Sequence, residues 1–369
     1  MNSLREKIER EILQQGAIPF SRYMDLCLYD PEFGYYAGHA EQFGKAGDFY
    51  TSSDVHAVFG RLLARQFEEM WRGLGCPSRI EVRELGPGRG LFAQDVLDWS
   101  ERKFPAFFAA LHYRLEERSP ALQEKLQKTL SRHFASGKAS LASGDGFKDP
   151  VIVFANEFFD AFPVEIVSRE GSLRVSASNG RLTESWVSTN ADESAFLDRY
   201  SVQPDGRERL EVPLAAQRYM SKLASSMSQG FMVVIDYGYT RAEQGAGRHR
   251  GTLMTYRQHS AGVNPYEAPG EQDITSHVNF TALGAAAEQG GMRVEKLVTQ
   301  SQFLMGIGEA NQFADAFEGA RLPQERAKVA LQLKHLVTPA GMGESFHVLV
   351  GSKGAERGLE LSGLGFGRI

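Results

Sequence analysis

Two stretches of the chain carry residue types whose spacing suits chemistry. The first is Glu84-Leu85-Gly86-Pro87-Gly88-Arg89-Gly90, with glycine at alternate positions behind a carboxylate. Glycine has no Cβ, so such a turn can take positive φ and let a ligand rest against the backbone. The second is Asn156-Glu157-Phe158-Phe159-Asp160-Ala161-Phe162, an amide and two acids among phenylalanines. Glu84 restricts what the first stretch can hold. A carboxylate there opposes a pyrophosphate and suits a cation or a ribose hydroxyl. S-adenosylmethionine meets that requirement, with a sulfonium, an ammonium and a carboxylate but no phosphate. A dinucleotide stays open as a rival. Counted from Gly86 the G-x-G-x-x-G pattern fails at Leu91, but counted from Gly88 the permissive form is met by Gly90 and Ala93. A turn that only lets a helix pack closely on a sheet stays open too.

Positioning these residues takes a strand, a turn and a helix. Ile80 and Val82 alternate with Glu81 and Arg83 as in a strand, and Leu91 to Leu97 has apolar residues at helical spacing. The first turn of that helix offers unpaired N–H groups to a ligand. Leu111 to Glu117 reads as a second strand ending in acids, where ribose hydroxyls bind in nucleoside-binding α/β folds. Ser119-Pro120 then starts a helix. Asp145, between Gly144 and Gly146, suits either the adenine amino group or an ordinary turn. Val151 to Ala155 is continuously apolar, as in a strand buried on both faces. It delivers Asn156, Glu157 and Asp160 to the carboxyl edge of the sheet, where ligands bind in open parallel sheets.

The remaining chain supports this centre. Residues 3–16 predict an amphipathic helix with Leu4, Ile8, Ile12 and Leu13 on one face. Ile18 to Leu28 predicts a second, with Ser21 as N-cap. Gly47, Asp48, Thr51 and Ser52 lie in a polar loop that is either a connection or a lid over a site. Residues 165–211 read as short polar strands with glycine turns, an antiparallel insertion. Residues 309–337 read as mostly helix and the tail after Gly354 as loose. The expected division is a helical extension with its lid loop at 1–75, a core at 76–353 with insertions at 165–230 and 240–280, and a flexible tail at 354–369.

Composition excludes some classes. Apolar residues make up 42% and charged residues 24%, as in a soluble globular protein. The formal charge of −5 gives no electrostatic reason to expect nucleic acid as a partner. No apolar run spans a bilayer, so membrane insertion is not expected. Cys27 and Cys76 have no metal or redox spacing and read as buried thiols. None of the histidines sits in an H-E-x-x-H pattern, so no metal is expected, and His277 near Asp273 reads as a loop histidine making a structural bond, with a base and its orienter as the alternative. The start of the chain lacks an apolar signal core and carries Glu6, Glu9 and Glu11, which predicts a cytoplasmic protein.

Taken in order, several motifs resemble one family, the MidA-type S-adenosylmethionine-dependent methyltransferases, to which the mitochondrial complex I assembly methyltransferase belongs. The resemblance runs through Ser21-Arg22-Tyr23-Met24, Asp30 to Tyr36, Gly47 to Ser52, Glu84 to Gly90, Glu117 to Pro120, Asn156 to Val164, Asp236-Tyr237-Gly238 and Pro269 to Thr275. It implies an α/β fold, a Rossmann-like seven-stranded class I methyltransferase sheet with an N-terminal helical extension and inserted α/β elements. It implies that Gly86, Gly88 and Gly90 hold the amino-acid end of the cofactor and that Glu117 binds its ribose. Glu84, Asp145 and Asn156 complete the expected cofactor set, and Glu157 and Asp160 are the expected catalytic carboxylates. The implied activity is protein arginine methylation, with a protein substrate such as a complex I subunit, and a homodimer is compatible with it; a cofactor-binding assembly factor without catalysis is the alternative. Ser53 departs from the family's usual proline.

Overall fold

The run Ile80–Leu85 is buried along its whole length because it lies at the middle of a sheet. The computed structural model of the protein describes residues 3–38, 57–142, 146–147, 150–257, 260–356 and 358–365. The chain divides into two compact units, one of residues 50–157, 222–237 and 287–369, the other of residues 1–49, 158–221 and 238–286.

The first unit is built on a mostly parallel sheet. Its strands are β1 (Ile80–Leu85), β2 (Leu111–Glu116), β3 (Ala139–Leu141), β4 (Val151–Asn156), β5 (Gly230–Tyr239), β6 (Arg293–Thr299) and β7 (Phe346–Lys353). They lie in the order β3-β2-β1-β4-β5-β7-β6. Every neighbouring pair from β3 to β5 is parallel, and β7 runs antiparallel to both β5 and β6. This is the parallel α/β sheet expected from the apolar runs, whose central strands are buried on both faces. Helices Ala57–Gly73 and Leu91–Lys103 pack close together, since a Cβ on Gly60 would stand 2.5 Å from Asp95 Cβ. Phe92 of the second helix stacks on Phe154 of β4 with ring centroids 4.4 Å apart.

The order reverses between β1 and β4. From β1 the chain proceeds outward through β2 to β3, then returns to lay β4 on the other side of β1. Such a reversal opens a crevice at the carboxyl ends of the two strands.

The second unit is antiparallel. Strands Ile18–Pro19, Gly171–Ser178, Glu165–Ser168 and Leu210–Val212 follow one another, with Arg181–Val187 paired to Gly171–Ser178. Helices Leu4–Gln15 and Phe20–Tyr29 share an apolar core with this sheet. A short ladder joins Ser260–Gly262, Met254–Arg257 and Asp273–Thr275, and Val278–Asn279 pairs with Gly238 and Tyr239.

Several expectations change. Leu13 is 84% exposed, because it lies one residue past the Leu4, Ile8, Ile12 stripe. Pro19, not Ser21, precedes the second helix, and the Ser21 hydroxyl donates to Glu165. Cys27 is buried but Cys76 is exposed, in a turn with φ of 53° just after Gly75. Helix Gln300–Glu309, capped by Thr299, is an element the sequence reading missed. Within the tail that read as loose, residues 361–363 are docked: Leu361 is buried, and Ser362 and Gly363 donate backbone N–H groups to Glu69 and Gln66 at 2.9 Å. Among the described residues no helix is long and apolar enough to cross a membrane, and no cluster suited to a metal ion occurs.

Candidate active site

Three strand ends meet at the reversal. Leu85 of β1 pairs with Glu116 of β2 on one side and with Ala155 of β4 on the other. The glycine turn therefore leaves the sheet between Glu117 and Asn156. Gly86 ties the first edge by donating to the Glu116 carbonyl at 3.1 Å. Gly86, Gly88 and Gly90 have φ of 63°, 53° and 78°, the left-handed region that side chains resist. Two of them differ in what surrounds them. A Cβ on Gly90 would meet Leu126 at 2.7 Å, whereas a Cβ on Gly88 would meet nothing within 4 Å among the described residues. Gly90 is thus needed for helix packing, and Gly88 faces open space.

Glu84 is buried at the end of β1 and accepts from the Tyr113 hydroxyl of β2 at 2.8 Å. Burial pushes its carboxyl up to about 8, and the Tyr113 bond pulls it back only in part. A cation placed nearby would favour the ionised form. Glu117 is half-buried, accepts from the Ser119 N–H at 2.8 Å, and is raised by burial.

At the end of β4, Asn156 Nδ2 donates to Glu157 Oε1 at 3.0 Å. Asn156 Oδ1 is buried and accepts nothing among the described residues, an arrangement that awaits an external donor. Glu157 has φ of 50°, an uncommon conformation for a side chain of its kind, held by its N–H bond to the Ile235 carbonyl at 2.9 Å. Strained backbone of this sort clusters at active sites.

Asp160 lies in the second unit, where it is buried and its carbonyl accepts from the Ser276 N–H at 3.0 Å. Phe158, Phe159 and Phe162 pack against one another and Tyr219. Asp273 receives the Tyr36 hydroxyl at 3.0 Å. Burial raises Tyr36 and Tyr256, and the charges of Asp160 and Asp273 raise both further. This pair of acids with its tyrosines escaped the sequence reading, because Tyr36, Asp160, Tyr256 and Asp273 are far apart in the chain. His277 meets His249, Nδ1 to Nδ1 at 3.1 Å, and is pushed down to about 4 by burial and then by that neighbour. Asp145, Gly47, Asp48, Thr51 and Ser52 lie outside the described residues.

The open space at Gly88, the unpartnered Asn156 oxygen and the carboxylates at two strand ends fit S-adenosylmethionine. The profile of a family described as "Putative S-adenosyl-L-methionine-dependent methyltransferase" matches residues 62–298. The chain belongs to this family. Its cofactor is S-adenosylmethionine, and the dinucleotide alternative falls. The methyltransferase is 30% identical to the Drosophila melanogaster mitochondrial protein arginine methyltransferase NDUFAF7 homolog, over 94% of this chain and 84% of that one. It is 26% identical to the Homo sapiens mitochondrial protein arginine methyltransferase NDUFAF7, over 91% and 80% of the two chains. Among solved structures, a Burkholderia thailandensis protein bound to S-adenosyl-homocysteine superposes with a TM-score of 0.86 at 27% identity, covering 98% of this chain and 94% of that one. The cytoplasmic expectation is overturned, since these curated relatives are named as mitochondrial proteins. The acids near the start of the chain therefore do not decide where the methyltransferase resides.

Proposed function

We propose that this methyltransferase transfers a methyl group to an arginine side chain of a protein, and that the acceptor is a subunit of respiratory complex I. The relatives named as protein arginine methyltransferases support the reaction class. The observation that carries the residue assignment is Glu157, a carboxylate held in a left-handed conformation at the end of β4, next to the reversal of strand order.

When bound, S-adenosylmethionine supplies a methyl group on a positively charged sulfur. The glycine turn and Glu84 hold its amino-acid end, Glu117 accepts from its ribose, and Asn156 Oδ1 accepts a further hydrogen bond. Asp145 is proposed for the adenine amino group from its place in the sequence alone. A guanidinium is a poor nucleophile while its charge is delocalised. Glu157 would orient it and accept its proton as the nitrogen–carbon bond forms and the methyl–sulfur bond breaks, the electron pair of that bond staying on sulfur as the neutral thioether of S-adenosylhomocysteine. Asp160 is proposed as a further catalytic carboxylate from its place in the sequence alone.

Purified protein and radiolabelled cofactor, incubated with extract from a strain lacking the protein, should label a discrete band whose mass spectrum shows methylarginine. Glu157→Gln should bind S-adenosylhomocysteine as the wild type does and transfer label about 10²–10⁴-fold more slowly. Wild-type transfer by Glu157→Gln would remove that residue from the mechanism, and methylation of another residue type would overturn the arginine assignment.

A further inference from the structure

The second unit contains a cavity of about 420 Å³ that includes none of the residues assigned to the cofactor or to methyl transfer. Its walls are mostly apolar, with Leu173, Leu182 and Leu253 among them, and Glu211 contributes to its lining. At the rim Glu184 is held on several sides. Arg209 donates to its two oxygens at 2.8 and 2.7 Å, and the Tyr266 hydroxyl donates at 3.1 Å. Arg209 is therefore paired with Glu184, and Glu211 is the remaining acid of the lining, its carboxyl raised by burial and lowered only in part by its bonds from Thr252 and Leu253.

Glu211 is 1% exposed. Its Oε1 accepts from the backbone N–H groups of Thr252 at 2.7 Å and Leu253 at 3.0 Å. Its Oε2 is buried and within hydrogen-bond geometry of no group among the described residues. A buried acceptor left in this way is costly. An anion or an apolar ligand would offer Oε2 no donor, whereas a cation beside it would favour the ionised carboxylate. A cationic head on an aliphatic stem satisfies both the oxygen and the walls.

We infer that this cavity takes a basic side chain, arginine or lysine, from the polypeptide acceptor, with its methylenes on Leu173 and Leu182 and its head on Glu211. The inference rests on the reading that the acceptor is a protein. It adds a second point of recognition, separate from the arginine that is methylated.

The test uses the full chain saturated with S-adenosylhomocysteine and carrying ¹⁵N-labelled tryptophan. Trp186 reports locally, because the Arg209 guanidinium lies 5.3 Å over its ring. n-Butylguanidinium should shift the Trp186 indole signal saturably, and the neutral n-butylurea should bind at least about tenfold more weakly. Glu211→Gln keeps the size of the side chain and its acceptor for the two N–H groups, and should weaken n-butylguanidinium about tenfold or more. Val263, 76% exposed on the lining, offers a variant that spares the core: Val263→Trp should obstruct binding with the fold intact. Both variants should bind S-adenosylhomocysteine as the wild type does. A motionless Trp186 signal, equal binding of n-butylurea, or undiminished binding in both variants would overturn the inference. A protein that labels an acceptor while Trp186 stays silent loses only this cavity's role. One whose Trp186 responds but which labels no protein loses the protein-acceptor reading instead.

Discussion

Glu84 shows how one side chain couples the site to pH. Its folded carboxyl titrates at about 8 and the ordinary value is 4.5. The protonated form is thus favoured by folding, and the free protein loses stability as pH rises through that interval. Between pH 6 and pH 8 the loss from this group is about 2 kcal/mol. Glu84→Gln cannot ionise and should flatten the dependence, which urea unfolding midpoints at the two pH values would show. A variant with the same pH slope as the wild type would refute the assignment. Glu157 carries a different cost. Its left-handed backbone is worth about 1–2 kcal/mol of strain, so Glu157→Gly should gain some stability while losing transfer.

At the scale of the element, the glycine turn separates two requirements that its sequence spacing does not distinguish. Gly88→Ala adds a methyl group in open space and should keep the fold, at a cost of about 1–2 kcal/mol for the positive φ. It should nevertheless bind S-adenosylhomocysteine poorly, because the methyl group occupies space beside the turn that the cofactor is assigned. Gly90→Ala pays the same conformational cost and also drives a methyl group toward Leu126 and Leu130. It should be the less stable of the two by about 1–3 kcal/mol. Thermal unfolding and calorimetric titration on both variants would decide it; equal effects on stability and affinity would mean that the turn acts as one structural piece.

The molecule as a whole has separate cores. One gathers Val58, Phe92, Phe154 and Leu361 with the parallel sheet, and another gathers Ile8, Tyr23, Val175 and Ile274 with the antiparallel one. Unfolding should therefore depart from a single two-state transition in scanning calorimetry. S-adenosylhomocysteine at one hundred times its dissociation constant should stabilise the unit with the glycine turn by about 2.7 kcal/mol. Leu361→Ala should destabilise that same unit by about 2–5 kcal/mol, since its side chain is buried in the core. If the ligand moved every transition equally, the cores would not be independent.

Strand, turn and helix around Gly86 were legible because each is encoded locally, by apolar alternation, by glycine and by helical spacing. The same holds for β4, whose five apolar residues announce a buried strand, and for the polar strands between residues 165 and 211. The sequence by itself thus determined the strand, turn and helix around Gly86 and a carboxylate suited to S-adenosylmethionine, while the reversal of strand order came from the tertiary structure. What neighbours do to a side chain depends on strands far apart in the chain. Only the tertiary structure set Tyr113 over Glu84, turned Glu157 into the left-handed region, and gathered Tyr36, Tyr256 and Asp273 around Asp160. The same long-range packing docked Leu361 and enclosed Glu211 in the antiparallel unit, because burial arises from contacts that no local window of residues contains.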